Sequence, residues 1–259
     1  MIKTVSFILS GWSFYFRWPT SPRHRFFSSG ILLGPALQAM VFWLFSLLFT
    51  WIWQDFKIGS LLALIALSVI TGFFHEDGFA DAFDSLGVPL MGDLEVARTK
   101  ILAAMRDSRL GTFGVSALCA LWMARGIGVF FYNISSVGFV AVILLSRVCG
   151  LTAGALFINR MGQRVSPRAS HQLLDIEWYW TFLSFVFAAS LVWVVLDYER
   201  ISLFSASLFC LLVPFASIIG VWTWSRRSGE VNGDIVGASI CLGEIVAIFA
   251  MGRLIAVPL

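Results

Sequence analysis

Apolar residues along this chain come in long runs broken by short polar stretches, not in the alternation of half-buried strands or the narrow stripes of soluble helices. A bilayer core of about 30 Å needs roughly 20 consecutive apolar residues per helix. By that measure, spans fall near 31–53, 58–74, 111–132, 136–158, 179–196, 203–224 and 236–257. The pattern predicts an all-α fold, a polytopic membrane bundle of about seven transmembrane helices forming one domain over residues 1–259. Residues 4–16 are also apolar, but they are too few to span and lack the small-residue cleavage site of a signal peptide. Arg17, Trp18, Pro19, Arg23 and Arg25 follow, so residues 1–30 are expected to lie at the interface.

Seven spans sort the connections into two sets. The N-terminal segment and the loops near 75–110, 159–178 and 225–235 hold thirteen of the eighteen Lys and Arg residues: Lys3, Arg17, Arg23, Arg25, Arg98, Lys100, Arg106, Arg109, Arg160, Arg164, Arg168, Arg226 and Arg227. The opposite set holds only Lys57, Arg200 and Arg253. Positive charge marks the cytoplasmic side, so the long loops are expected there, in a multi-pass protein of the inner cell membrane. Long loops on one face and short ones on the other suit a site served from the cytosol.

Composition supports this reading. Hydrophobic residues make up 59% and charged residues 13%, and so little charge cannot cover a water-facing surface. With a net charge of +3, no nucleic-acid partner is expected. The bilayer is the evident partner, and the sequence leaves open whether a second copy joins it in a homo-oligomer. Cys119, Cys149, Cys210 and Cys241 all fall within apolar spans without CxxC spacing, so they read as small buried hydrophobes. Arg125, Arg147 and Glu244 lie inside spans. Such charges are normally paired or turned toward a polar cavity.

The chemistry gathers after the second span, in His75-Glu76-Asp77-Gly78-Phe79-Ala80-Asp81-Ala82-Phe83-Asp84. If the helix continues, Asp77, Asp81 and Asp84 share one face at i, i+4 and i+7. Like charges so placed repel, and a divalent cation removes the repulsion. An oxygen-only set selects Mg²⁺, Mn²⁺ or Ca²⁺ over zinc or copper. The plainer alternative is a solvated acidic helix end. His75 fits a ligand, a base or a helix-end residue equally well. Met105-Arg106-Asp107-Ser108-Arg109-Leu110-Gly111-Thr112-Phe113-Gly114 follows, with two guanidinium forks for phosphate oxygens and glycines that open the backbone N–H groups. A further polar segment is Arg226-Arg227-Ser228-Gly229-Glu230-Val231-Asn232-Gly233-Asp234. Together on one face, these segments look like a diphosphate-handling site.

The first two motifs resemble those of the cobalamin synthases, also called adenosylcobinamide-GDP ribazoletransferases. Arg17 and Pro19, Ser146-Arg147, and the series Gly233-Asp234, Gly237-Ala238 and Glu244 are similar to further family motifs, in order from about residue 12 to 250. The chain departs from the family at Ser85, where Gly is usual, at Gln38, which replaces a Gly after Pro35, and at Cys241, where an acid is common.

The resemblance implies a transferase of the last assembly stage of vitamin B12. Adenosylcobinamide-GDP and α-ribazole, or its 5′-phosphate, would be joined with release of GMP. It implies Mg²⁺, with Mn²⁺ as the alternative, held by Asp77, Asp81 and Asp84 with Glu76 beside them. Arg106, Arg109 and Arg147 would bind phosphate, and Asp234 or one of the metal-site acids would orient or deprotonate the acceptor hydroxyl. His75, Asp107, Ser108, Asn232 and Glu244 complete the expected substrate-binding set. A CDP-alcohol phosphotransferase is the enzymatic rival, but its pattern needs Arg after Ala where this chain has Asp81. A cation-coupled transporter is the rival of another class, and it would usually show repeated halves.

Overall fold

The computed structural model describes residues 33–161, 164–165, 178–198 and 203–256. The expected interfacial segment 1–30, with Arg17, Pro19, Arg23 and Arg25, lies outside the described residues, as does Arg168.

Nine helices are described: α1 (Gly34–Trp53), α2 (Phe56–Ile70), α3 (Phe74–Asp84), α4 (Leu94–Met105), α5 (Thr112–Gly126, continued by a π-helical turn to Phe131), α6 (Ser136–Met161), α7 (Trp178–Tyr198), α8 (Leu203–Ser228) and α9 (Gly233–Ala256). The fold is all-α, as expected. Among the described residues, five helical segments are each long and apolar enough to cross a membrane: Gly34–Trp53, Thr112–Phe131, Ser136–Ile158, Ala206–Ser228 and Gly233–Arg253. They correspond to the first, third, fourth, sixth and seventh expected spans. The apolar part of α7, Leu183–Val195, is shorter.

Local chemistry sets the breaks. Pro35 opens α1, where its missing N–H costs nothing. Gln54 ends that helix in the left-handed conformation, φ 54°. Asp55 then starts α2 by accepting the Lys57 and Ile58 N–H groups at 2.7 and 3.2 Å. The two form a tight antiparallel hairpin.

The second span differs from expectation in one respect. The sequence pattern reads residues 58–74 as a span with the acidic cluster at its end, where the helix could run on, but the chain turns by 79° between α2 and α3. Gly72 and Phe73 carry the turn with φ of 66° and 57°. Phe73 has a Cβ and pays for that conformation, while its N–H is satisfied by the Ser68 carbonyl at 2.7 Å. With four acids in eleven residues, α3 does not cross a membrane by itself, but α2 and α3 together are long and apolar enough to form a broken span or a re-entrant loop. It packs against α5 and α9.

Helix α6 is buried along most of its length and packs against α1, α7, α8 and α9. Phe139, Ile143 and Leu145 of α6 meet Phe42 of α1, Phe209 of α8 and Ile248 of α9 in the main core. The outward faces carry Trp51, Trp53, Val194, Leu211 and Phe215, a surface that only lipid solvates well. Helix α4 is instead amphipathic, burying Ala97, Ile101 and Met105 at four-residue spacing. Two residues after α6 pair in parallel with two after α8, Arg164 with Glu230 and Val165 with Val231. The pairing brings together two of the loops that the positive-charge count expects on one face.

Candidate active site

Helix α3 divides its acids between two environments. Glu76 and Asp77 are adjacent, so they project about 100° apart around the helix. Glu76 is buried and Asp77 is exposed.

On the buried side, Glu76 Oε1 accepts from Arg125 Nη1 at 3.0 Å and from Ser68 Oγ at 2.5 Å. Arg125, on α5, donates from Nε and Nη2 to the two oxygens of Glu244 on α9 at 2.7 and 3.3 Å. Arg147, on α6, reaches Glu244 Oε2 at 3.0 Å and Gln38 Oε1 at 2.6 Å. The Gln38 amide in turn lies 3.4 Å from His75 Nε2. Two arginines and two glutamates thus form a closed, neutral network in which each side chain is at most 5% exposed.

Several expected roles look different in this light. Pairing, one of the two expectations for the intramembrane charges, holds for Arg125, Arg147 and Glu244. Glu76, expected beside the metal-holding acids, has Arg125 and Ser68 as its partners because it lies on the helix face turned inward. His75, Arg147 and Glu244, expected to touch substrate, are buried in the same network. Gln38 is one of the departures from the family pattern, yet it joins Arg147 to His75.

Helix α3 also borders a cavity of about 550 Å³, which the buried Glu76 touches along with the exposed Asp77. Glu76, Asp77, Ala80 and Asp81 line one wall and Arg106, Asp107, Ser108 and Leu110 another, with Trp122 beside them. Trp122 carries the Arg125 guanidinium 4.5 Å from its ring centre, so the buried network abuts the cavity. Asp234, in the first turn of α9, comes close because Gly78 lacks a side chain: a Cβ there would sit 2.7 Å from the Asp234 Cα. Asp81 shows the resulting crowding. Burial first, and then the charges of Asp77, Asp234 and Asp84, push its carboxyl up to about 7.

That donor set fits a hard divalent cation, since all its atoms are oxygen and they repel one another. Its size is smaller than the sequence suggests. Among the described residues, no three His, Cys, Asp or Glu groups are arranged to hold a metal ion. Asp84, expected as a ligand, has both oxygens engaged with backbone: Oδ2 accepts from Gly111 N and Oδ1 from Gly114 N, each at 2.7 Å. Mg²⁺ commonly takes only one or two protein carboxylates and completes its shell with water and substrate phosphates. Asp77 and Asp81 can supply that number.

In the loop before α5, the two arginines part company. Arg106 lines the cavity with its side chain 67% exposed, its Nη2 4.0 Å from Glu230. Arg109 faces solvent, 87% exposed, with its Nη2 bound to Asp107 at 2.7 Å. Hydrogen bonds from the Arg109 side chain and backbone N–H hold the Asp107 carboxyl down at about 2. In the third segment, Asn232 caps α9 by accepting the Ile235 N–H at 2.9 Å. Arg227 binds the Val88 carbonyl at 2.9 Å and Trp224 the Ala82 carbonyl at 3.0 Å, fastening the end of α8 to the end of α3.

Comparison with known proteins places these residues in context. A family model described as cobalamin-5-phosphate synthase matches residues 9–252. Among curated relatives, the adenosylcobinamide-GDP ribazoletransferase of Shewanella sp. (strain ANA-3) is 29% identical over 231 residues, covering 86% of this chain and 79% of that protein. The protein of the same name from Klebsiella pneumoniae is 27% identical over 224 residues, covering 86% and 83%. No solved structure matches the chain. The match to the family extends over both faces of α3 and every segment bordering the cavity, and the chain belongs to the cobalamin-5-phosphate synthase family.

Proposed function

We propose that this chain is a membrane transferase that joins adenosylcobinamide-GDP to α-ribazole or its 5′-phosphate and releases GMP, in the last assembly stage of vitamin B12. The observation that carries the reading is the cavity itself. It sets paired carboxylates opposite an arginine loop, in a chain matched to the family from residue 9 to 252. The named relatives carry that activity in their names.

The reaction forms a bond between a ribose hydroxyl oxygen and the phosphorus nearest cobinamide, and breaks the diphosphate bridge. Asp77 and Asp81 would hold Mg²⁺, with Mn²⁺ as the alternative, and the cation would supply charge neutralisation at the bridging diphosphate oxygens. Arg106 contributes a guanidinium fork toward the departing nucleoside monophosphate. Asp234 lies beside the acids of α3 and takes the proton of the attacking hydroxyl. Ser108 offers a hydroxyl from the opposite wall. The basic loops support a cavity that opens on the cytoplasmic face of the inner membrane.

The test is incubation of the purified protein in detergent with adenosylcobinamide-GDP, α-ribazole and Mg²⁺, followed by mass analysis of corrinoid products and GMP. Formation of the joined product with equimolar GMP supports the reading. Its absence in folded protein, with or without a 5′-phosphate on the acceptor, overturns it.

A further inference from the structure

The residue at the N-cap of helix α5 is Gly111, which has no side chain with which to cap it. A helix leaves its first N–H groups without internal partners, and Ser, Thr or Asp at the cap position usually accepts one of them. Here the acceptor comes from 27 residues earlier in the chain. Asp84, at the end of α3, takes the Gly111 N–H on Oδ2 and the Gly114 N–H on Oδ1, both at 2.7 Å. Its charge also faces the positive end of the helix dipole. Glycine is required at both positions, since a Cβ at either would collide with the Asp84 carboxylate. Asp77 and Asp81 line the cavity and Asp84 does not.

We propose that Asp84 is a positioning residue and not a metal ligand: it caps α5 across the fold and so holds the 106–110 loop against the Asp77–Asp81 wall. This rests on the proposed function for the meaning of that wall, but the latch itself is a property of the protein without metal or substrate. The two glycines do not open backbone to phosphate, as the sequence suggests. Their N–H groups are taken by a carboxylate. Arg106 and Ser108 owe their place in the cavity to the end of α3, two turns beyond Asp77.

The test uses protein treated with a chelator, in detergent, and follows hydrogen exchange at the Gly111 and Gly114 amides. In Asp84→Asn one of the two N–H groups loses its acceptor, and exchange there speeds about tenfold or more, the size of a lost cap. Gly114→Ala keeps every acid and displaces the latch sterically, so it gives the same acceleration and decides the matter if Asp84→Asn does not fold. Mn²⁺ affinity, measured by electron paramagnetic resonance without substrate, stays within about twofold of wild type in both variants. In Asp81→Asn it weakens about tenfold or more, as loss of one of the two proposed carboxylate ligands requires. The KM for adenosylcobinamide-GDP rises in both latch variants more than kcat falls. Unchanged exchange, or a Mn²⁺ affinity that falls in Asp84→Asn as it does in Asp81→Asn, overturns the proposal. Failure of the wild type to turn over would count against the reaction and leave the exchange result standing.

Discussion

Arg125 and Glu244 face each other across the bundle with Nε and Nη2 on the two carboxylate oxygens, at 2.7 and 3.3 Å, both side chains at most 2% exposed. Neither charge could remain inside the membrane alone. Glu76 and Arg147 complete the network, so two positive and two negative charges cancel where three spans meet the inner face of α3.

Removing one member strands its partners. Arg125→Met leaves Glu76 without its cation and Glu244 with only Arg147, which costs about 3–5 kcal/mol for a broken buried pair. The thermal unfolding midpoint in detergent should fall sharply. Arg125→Met combined with Glu76→Gln leaves a neutral Arg147–Glu244 pair and recovers most of the loss. A single variant as stable as wild type would show that the network carries no such load.

How far the sequence reveals this arrangement varies with the physics involved. Span lengths follow from the thickness of the bilayer and read directly, as does the gathering of acids near residue 77. The turn at Gly72–Phe73 is hidden because it places a phenylalanine in the left-handed region, which no composition rule anticipates. The division between Glu76 and Asp77 is implicit in helical geometry, since adjacent residues project about 100° apart: both border the cavity, but only Glu76 turns far enough inward to be buried. It becomes visible only once Arg125 supplies the inward partner. A charge balance of the spans offers the available clue: Arg125 and Arg147 exceed Glu244 by one, which calls for another buried acid nearby. Gln38 reads as a departure from the family pattern, and its bond to Arg147 depends on the packing of α1 on α6. Gly111 and Gly114 stand out as glycines, but a contact with Asp84 across 27 or 30 residues has no local signature.

The acids of the cavity wall should be separable from the rest. Glu76 is tied to Arg125 and Asp107 to Arg109, so Asp77→Asn and Asp81→Asn each remove one of the two carboxylates proposed to hold the cation, and each should abolish turnover while the protein stays folded. Raising Mg²⁺ should rescue neither. Near wild-type rates in both would reduce the wall to an acidic surface.

Topology provides a check independent of chemistry. With Cys119 replaced, a cysteine at Arg226 should react only with reagent from the cytoplasmic side, and one at Asn133 only from outside. Both positions are exposed, so a failure to label cannot be blamed on burial. Labelling of both from one side would break the single-faced arrangement of the loops.

The two arginines of the 106–110 loop offer the sharpest contrast: the resemblance gives both to phosphate, with Arg109 as the catalytic one, whereas the structure puts Arg106 at the cavity. Arg106 lines the cavity, 4.0 Å from its nearest acid, Glu230, whereas Arg109 is forked onto Asp107 in solvent. A guanidinium that neutralises charge on a departing phosphate acts chiefly in the transition state. Arg106→Lys keeps the charge and loses the fork, so kcat should fall roughly 10²-fold with a smaller change in KM, as when one preorganised donor is lost. Arg109→Lys breaks an exposed pair worth about 1 kcal/mol or less, so its effect on kcat should stay within about tenfold. The decisive quantity is the ratio of the two kcat values, measured at saturating adenosylcobinamide-GDP. A ratio near one with both variants slow would mean that substrate draws Arg109 away from Asp107 and into the cavity. A ratio near one with both variants fast would remove the loop from phosphate binding altogether, leaving its arginines to anchor lipid head groups at about 1 kcal/mol each.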